Sequence, residues 1–294
     1  MSAFDPHPFT ARSLLFVPGD SPRKLEKALG SGADLLLLDL EDSVAEGIKP
    51  EARRLVVEAL AAPDRKIPLW VRINPLETPH ALADLAAIVP ARPDGIMLPK
   101  AVRADADRLH HYLTALEAAA GVPHESIRVI VVATETAEAL FRLGEYPGTP
   151  RLDALTWGAE DIATALGASG NRDAQGEYEF PYQLARTLCL AGAVAAGVTP
   201  IETIDPDFRD GERLERVASA MRRAGFRGMM AIHPAQVPII NRAFSPSEAE
   251  IARARRIVDL FAANPGVGTL GLDGEMVDVP HLKRAHALLA MVRE

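Results

Sequence analysis

Carboxylates gather where apolar runs stop. In "LTWGAEDIATALG" (155–167) the run breaks at Gly158, and Glu160 and Asp161 follow almost at once. Similar endings place Asp39, Glu41 and Asp42 after "LLLL", Glu135 after "IRVIVVAT" and Glu202 after "TPI". Arg72 and Asn74 close "LWVRIN", Lys100 follows "GIMLP", and His233 follows "GMMAI". An unpaired charge is costly to bury, so these acids either cap helices or surround something positive. They outnumber Arg72 and Lys100, a balance suited to a hard divalent cation with oxygen ligands, Mg²⁺ before Zn²⁺. No HExxH or paired-cysteine pattern competes for a softer metal. Each residue also has a plainer reading. Asp161 is a preferred helix-capping type, and Glu41 and Asp42 fit a solvated loop before the helix pattern of 50–61. His233 suits loop orientation as well as proton transfer. His110 and His111 fall on a long polar helix pattern and read as surface residues.

The elements that must position these side chains recur as one unit. Short apolar runs lie at 13–19, 35–42, 69–74, 95–100, 127–136, 152–161, 199–203 and 228–234. Helix patterns such as "PRKLEKALGSG", "ALADLAAIV", "DADRLHHYLTALEAAAG" and "GERLERVASAMRRAGF" lie between them. Near-continuous apolar strands belong to parallel sheets covered on both faces. Eight such units predict an α/β fold, a (β/α)₈ TIM barrel, whose strand ends converge on one active face. A doubly wound open sheet is the alternative, but no GxGxxG or GxxxxGK[ST] follows any strand. The barrel is expected over 1–244. Residues 245–294 form a C-terminal helical extension with a helix pattern at 247–263, a flexible glycine-containing stretch "NPGVGTLGLDGE" and a last helix begun by Pro280. That layout suits a lid, or an extension packed on the surface.

Composition narrows the classes. The chain has 294 residues, 48% hydrophobic and 24% charged, as in soluble globular proteins. A net charge of −8 argues against nucleic acid as a partner, though not against a small anionic substrate. No run approaches a membrane span, and "MSAFDPHPFTAR" lacks the features of a signal peptide. The lone cysteine, Cys189, reads as a small core residue, and a cytoplasmic location is expected.

The motifs "RSLLFVPGDSPRKLEKA", "LLLLDLEDSV", "VRIN", "GIMLPKA", "TETAEAL", "WGAEDIATALG", "GFRGMMAIHPAQV" and "GEMVDVPHLKRA" run collinearly from Arg12 to Ala285. Together they resemble the HpcH/HpaI aldolase/citrate lyase family, in its citrate lyase beta-subunit-like, CoA-ester lyase branch. The resemblance implies a Mg²⁺ site (Mn²⁺ as a substitute) held by Glu135 and Asp161, with Glu160 a neighbour and not a ligand. It implies that Arg72 binds substrate carboxylate and carbonyl oxygens, and that Glu41 and Asp42 hold metal-bound waters. It seats coenzyme A on the amino-terminal segment containing Phe16 and Pro18, with Arg23 or Lys24 for its phosphates. It makes Asp278 a residue that closes over a neighbouring subunit's site, in a homotrimer or a hexamer. The implied reaction cleaves a 3-hydroxyacyl-CoA thioester of malyl, citramalyl or citryl type to an acyl-CoA and a small 2-keto acid. A citrate lyase beta subunit acting on a carrier-bound citryl group, a thioesterase-type hydrolase and a non-catalytic acyl-CoA-binding barrel are the other readings. Two positions depart from the pattern: Met229 stands where a lysine is common, implying a basic charge missing from the mouth. Glu202 stands where an aspartate is common, implying a shifted water or a narrowed pocket.

Overall fold

The computed structural model describes residues 9–63 and 65–292. Residues 1–8, most of the stretch read above for a leader, lie outside the described residues. The eight apolar runs form β1 (Ser13–Pro18), β2 (Leu35–Asp39), β3 (Leu69–Arg72), β4 (Gly95–Leu98), β5 (Arg128–Val132), β6 (Leu152–Thr156), β7 (Thr199–Glu202) and β8 (Gly228–Ala231). All pair in parallel in chain order, and β8 returns to β1, closing a TIM-type barrel. Asp39, Arg72 and Glu202 are the last residues of their strands, whereas Lys100, Glu135, Asp161 and His233 lie beyond the ends of theirs. Together they gather at the C-terminal rim of the barrel.

Helices follow the strands: α1 (Pro22–Leu29), α2 (Lys49–Leu60), α3 (Ala81–Ile88), α4 (Arg103–Ala120), α5 (Ala137–Arg142), α6 (Ala159–Ala165), α7 (Phe180–Ala196) and α8 (Gly211–Ala224). Two of them, α6 and α7, follow β6. Pro22 opens α1, where a missing N–H costs nothing. Gly121 and Gly197 end α4 and α7 in the left-handed region that favours glycine. Among these described helices and those below, none is long and apolar enough to cross a membrane.

The barrel interior is filled by alternate residues of each strand, as a period of two requires. Leu35 and Leu37 of β2, Trp70 of β3, Met97 of β4, Ile130 and Val132 of β5 and Met230 of β8 form one cluster. Continuing that alternation carries Asp39 and Arg72 to the inner face of the rim, and the two are register partners. Trp70 leaves no room opposite itself, since a Cβ on its register partner Gly95 would lie 2.3 Å from the indole. Beneath β6, Arg151 is fully buried and sends Nη1 and Nη2 to the two oxygens of Glu117, both at 2.7 Å. The pair ties the start of β6 to α4.

The chain divides into two compact units, 1–241 and 242–294, with α9 (Val237–Ala243) crossing the division. In the second unit, α10 (Glu248–Ala263) starts at a capping box between Ser247 and Glu250. The glycine-containing stretch expected to be flexible is instead largely a β-hairpin, β9 (Thr269–Leu272) and β10 (Glu275–Asp278). Asp273 and Gly274 both have positive φ, the turn that matches the strands' twist. α11 (Val279–Leu289) follows directly, and Phe261, Leu272, Val277 and Ala285 share a small core.

Replacing Gly95 with alanine should lower stability by about 1–3 kcal/mol, because a closed barrel cannot move Trp70 aside cheaply. Denaturant unfolding of Gly95→Ala measures this, and an unchanged midpoint would contradict the packing described.

Candidate active site

The rim is organised by two cations set among carboxylates. Arg72 donates from Nε and Nη2 to the two oxygens of Asp39, both at 2.7 Å. The same carboxylate accepts backbone N–H groups of Glu41 at 2.9 Å and Ser43 at 3.1 Å. Burial alone would raise the Asp39 carboxyl, but Arg72 overrides it and holds the group below the usual carboxylate range. Arg72 Nη1 lies 2.9 Å from Glu41 Oε2 and 3.7 Å from Asp42, while its Cζ lies 4.8 Å from the Phe16 ring centroid. The contact with Glu41 lacks hydrogen-bond direction, so the buried Oε2 has no hydrogen-bond partner among the described residues.

Lys100 is the second hub. Its Nζ donates to Glu41 Oε1 at 2.6 Å and lies 3.1 Å from Asp161 Oδ1. Its backbone N–H donates to Glu135 Oε2 at 2.5 Å. The residue has φ of 50°, a left-handed conformation uncommon for a side-chain-bearing residue. The Lys100 ammonium is held above its ordinary range, since neighbouring carboxylates outweigh its burial. Glu41 moves up, mainly by burial.

Glu135 is buried, and burial together with Asp161 and Glu41 pushes its carboxyl up to about 8. It fits only because residue 158 is glycine: a Cβ there would lie 2.7 Å from Glu135 Cγ. Asp161 sits in the first turn of α6, whose N-cap position is Gly158, so it is not the capping residue. Glu160 is engaged by Asn171 Nδ2 at 2.8 Å. A cavity of about 410 Å³ opens here, lined by Phe16, Pro18, Asp39, Asp42, Arg72, Glu135, Trp157, Glu160 and Asp161 among others.

The geometry thus brings together Arg72, Glu41, Asp42, Glu135, Asp161, Phe16 and Pro18. Glu41 is not the solvated loop residue of the plainer reading, although Asp42 is exposed. Arg23 and Lys24 stand exposed on α1 and do not line this cavity. Asp278 belongs to the second unit, where it accepts the backbone N–H of His281 as the cap of α11 and pairs with the same imidazole. That pairing holds its carboxyl below the usual range.

The two departures look different in three dimensions. Met229 is 1% exposed and lines no part of the cavity, so its position is not at the mouth. Glu202 also lies off the cavity wall, buried and accepting the Trp157 indole N–H at 2.9 Å. His233 caps a short 3₁₀ turn and stacks on Phe208, the loop-orienting reading. His110 is partly buried and accepts from Arg151 at 3.0 Å, so it is not a plain surface residue. Cys189 is buried in α7.

Sequence reading missed the hold of Asp39 on Arg72 and the central place of Lys100. Strand alternation carried a signal for the first; a positive φ at Lys100 carries none. Glu135 and Asp161 could hold a cation that completes its shell with waters or ligand oxygens. The all-oxygen donor set and the raised Glu135 carboxyl fit a hard dication. No group of three or more ligating side chains occurs among the described residues.

Residues 12–234 match the HpcH/HpaI aldolase/citrate lyase family. The chain is 38% identical over 293 residues to the (3S)-malyl-CoA thioesterase of Cereibacter sphaeroides strain KD131, covering 98% of this chain and 96% of that protein. It is 34% identical over 300 residues to the L-malyl-CoA/beta-methylmalyl-CoA lyase of Rhodobacter capsulatus, covering 95% and 93%. Among solved structures, CitE from Mycobacterium tuberculosis in complex with magnesium, acetoacetate and coenzyme A superposes with a TM-score of 0.80 at 31% identity. That superposition covers 96% of this chain and 98% of that one.

The raised carboxyls predict a pH dependence for the metal-free protein. Folded Glu135 keeps a proton to about pH 8 that the unfolded chain loses near 4.5, and Glu202 does so to about 7. Their stabilising contribution is complete below the unfolded value and is lost as pH rises through the folded one. Asp39 acts oppositely, but only where pH falls below its ordinary 3.8. In chelator, the melting temperature should therefore fall between about pH 5 and pH 8, less so for Glu135→Gln. A flat or rising profile would contradict the buried, protonated carboxyl.

Proposed function

The chain belongs to the HpcH/HpaI aldolase/citrate lyase family, and on that premise we propose a cytoplasmic, Mg²⁺-dependent carbon–carbon lyase. Its substrate would be a 3-hydroxyacyl-CoA thioester of malyl, citramalyl or citryl type, split to an acyl-CoA and a small 2-keto acid. Family relatives include a lyase acting on malyl-CoA and beta-methylmalyl-CoA. The observation that carries the proposal is the meeting of Glu135, Asp161 and Arg72, from three different strand ends, around one cavity.

In this reading Glu135 and Asp161 hold the cation, with Mn²⁺ as a substitute. The bound ion would supply Lewis-acid polarisation of carbonyl and alkoxide oxygens. During cleavage the hydroxyl proton passes to a water ordered by Glu41 and Asp42, and the C–C bond breaks. The electron pair goes to the thioester enolate, which is protonated on carbon. Arg72, oriented by Asp39, stabilises negative oxygen, a contribution commonly about 3–4 kcal/mol for a well-placed donor. Glu41 and Asp42 order waters, and Lys100 neutralises the acids around them. Phe16 and Pro18 border the acyl-CoA, with Arg23 or Lys24 available to its phosphates. Asp278 would deliver the carbon proton from a neighbouring subunit's C-terminal segment, in a homotrimer or hexamer. The second reading, hydrolysis of the thioester, is favoured by the likeness to the malyl-CoA thioesterase.

Assays of malyl-, methylmalyl-, citramalyl- and citryl-CoA for keto acid and for free thiol separate the readings. The lyase releases keto acid without free thiol; thiol release without keto acid would establish the hydrolase. Asp161→Ala should abolish turnover in a folded protein, and Arg72→Lys should lose most of kcat/KM because lysine lacks the planar fork. Mixing Asp161→Ala with Asp278→Ala under subunit exchange should restore part of the activity. Exchange without recovery would contradict the shared site.

A further inference from the structure

Glu202 is a buried acid that the proposed reaction does not use. Its carboxylate is 1% exposed, Oε1 accepts the Trp157 indole N–H at 2.9 Å, and Oε2 has no hydrogen-bond partner among the described residues. A charged or polar group is not buried at this depth without a gain elsewhere. The indole that Glu202 holds leads directly into the turn before α6.

Trp157 follows the last residue of β6, and its side chain is both fully buried and part of the cavity wall. Gly158 comes next. Its backbone N–H donates to Thr134 Oγ1 at 3.1 Å, and its missing Cβ is what lets Glu135 sit where it does. Asp161 then lies in the first turn of α6. From the outer side, Tyr178 meets the indole edge-on at 5.0 Å, and Asn171 holds Glu160 and the Ala159 carbonyl. The turn that carries one acid and packs against the other is therefore braced by Thr134 on the β5 side and by Glu202 on the β7 side. Gly158, between the indole and α6, is also the residue packed against Glu135.

We propose that Glu202 is a positioning residue: by holding the Trp157 indole it fixes the turn that sets Asp161 against Glu135. The proposal rests on the reading of those two acids as cation ligands. The length of the side chain matters, since an aspartate is one methylene shorter and would leave the indole N–H unpaired. The charge does not, because an amide oxygen of the same length accepts the same bond.

The test is Mn²⁺ affinity by calorimetry, read beside the melting temperature and the split between kcat and KM. Glu202→Leu and Trp157→Phe should each weaken Mn²⁺ binding by about tenfold or more, as loss of a ligand's support commonly does. The double variant should be no weaker than the worse single one, because both remove the same bond. Glu202→Gln should retain the affinity and Glu202→Asp should not. A purely structural acid would lower the melting temperature in these variants and leave the affinity of the folded protein unchanged. Should Glu202→Leu fail to fold, Trp157→Phe decides: reduced affinity supports the tether and wild-type affinity overturns it. Wild-type protein that binds no Mn²⁺, or binds it equally as Asp161→Ala, would overturn the ligand reading and this proposal with it. Normal wild-type binding matched by Trp157→Phe would overturn the positioning role alone.

Discussion

At one barrel mouth Asp39, Glu41 and Asp161 share the two cations Arg72 and Lys100 while Glu135 has neither as an ion-pair partner, and the rest of the site follows from that imbalance. Two like charges at about 4 Å repel by roughly 4 kcal/mol at the effective dielectric of a partly buried site. Asp39 escapes the cost by taking both arms of the Arg72 fork and two backbone N–H groups. Lys100 is spread between Glu41 and Asp161. Glu135 receives a backbone N–H but no ammonium at contact distance, and burial together with Asp161 and Glu41 pushes its carboxyl up to about 8. Burial beside Asp161 and Glu41 therefore favours the protonated form of Glu135.

The barrel makes this crowding possible. Strand alternation supplies Asp39 and Arg72 as register partners on the inner face, above a floor of Leu37, Trp70 and Met97. The turns after β4, β5 and β6 then supply Lys100, Glu135 and Asp161. Their precision comes from features with no chemistry of their own: a left-handed backbone at Lys100, a glycine at 158 and the Arg151–Glu117 pair beneath β6. Each constrains backbone where a side chain must land within a fraction of an ångström. The arrangement suits electrostatic catalysis, in which positions are set before the reaction begins.

Much of this was legible in the sequence because a barrel strand has a simple signature. All eight apolar runs became strands, and each acid of the rim stood at the end of one. The runs were drawn too long because apolar residues such as Ala133 and Trp157 continue into the loops, where only the hydrogen-bond ladder marks the end. The hairpin of the second unit was read as flexible chain, although Asp273-Gly274 between Leu272 and Met276 is a turn signal. Met229 was assigned to the mouth by motif, yet mid-strand alternation buries it away from the cavity. What stayed illegible was pairing. Nothing local says that Asp39 saturates Arg72, or that Glu202 reaches the indole of Trp157.

If Glu135 is a cation ligand, its raised carboxyl holds a proton that the cation must displace. Proton release on Mg²⁺ binding at pH 7, followed by calorimetry in buffers of different ionisation enthalpy, measures this directly. The expected result is release of about one proton by the wild-type protein and almost none by any binding that remains in Glu135→Gln. Mg²⁺ binding to the wild-type protein with no proton released would contradict it.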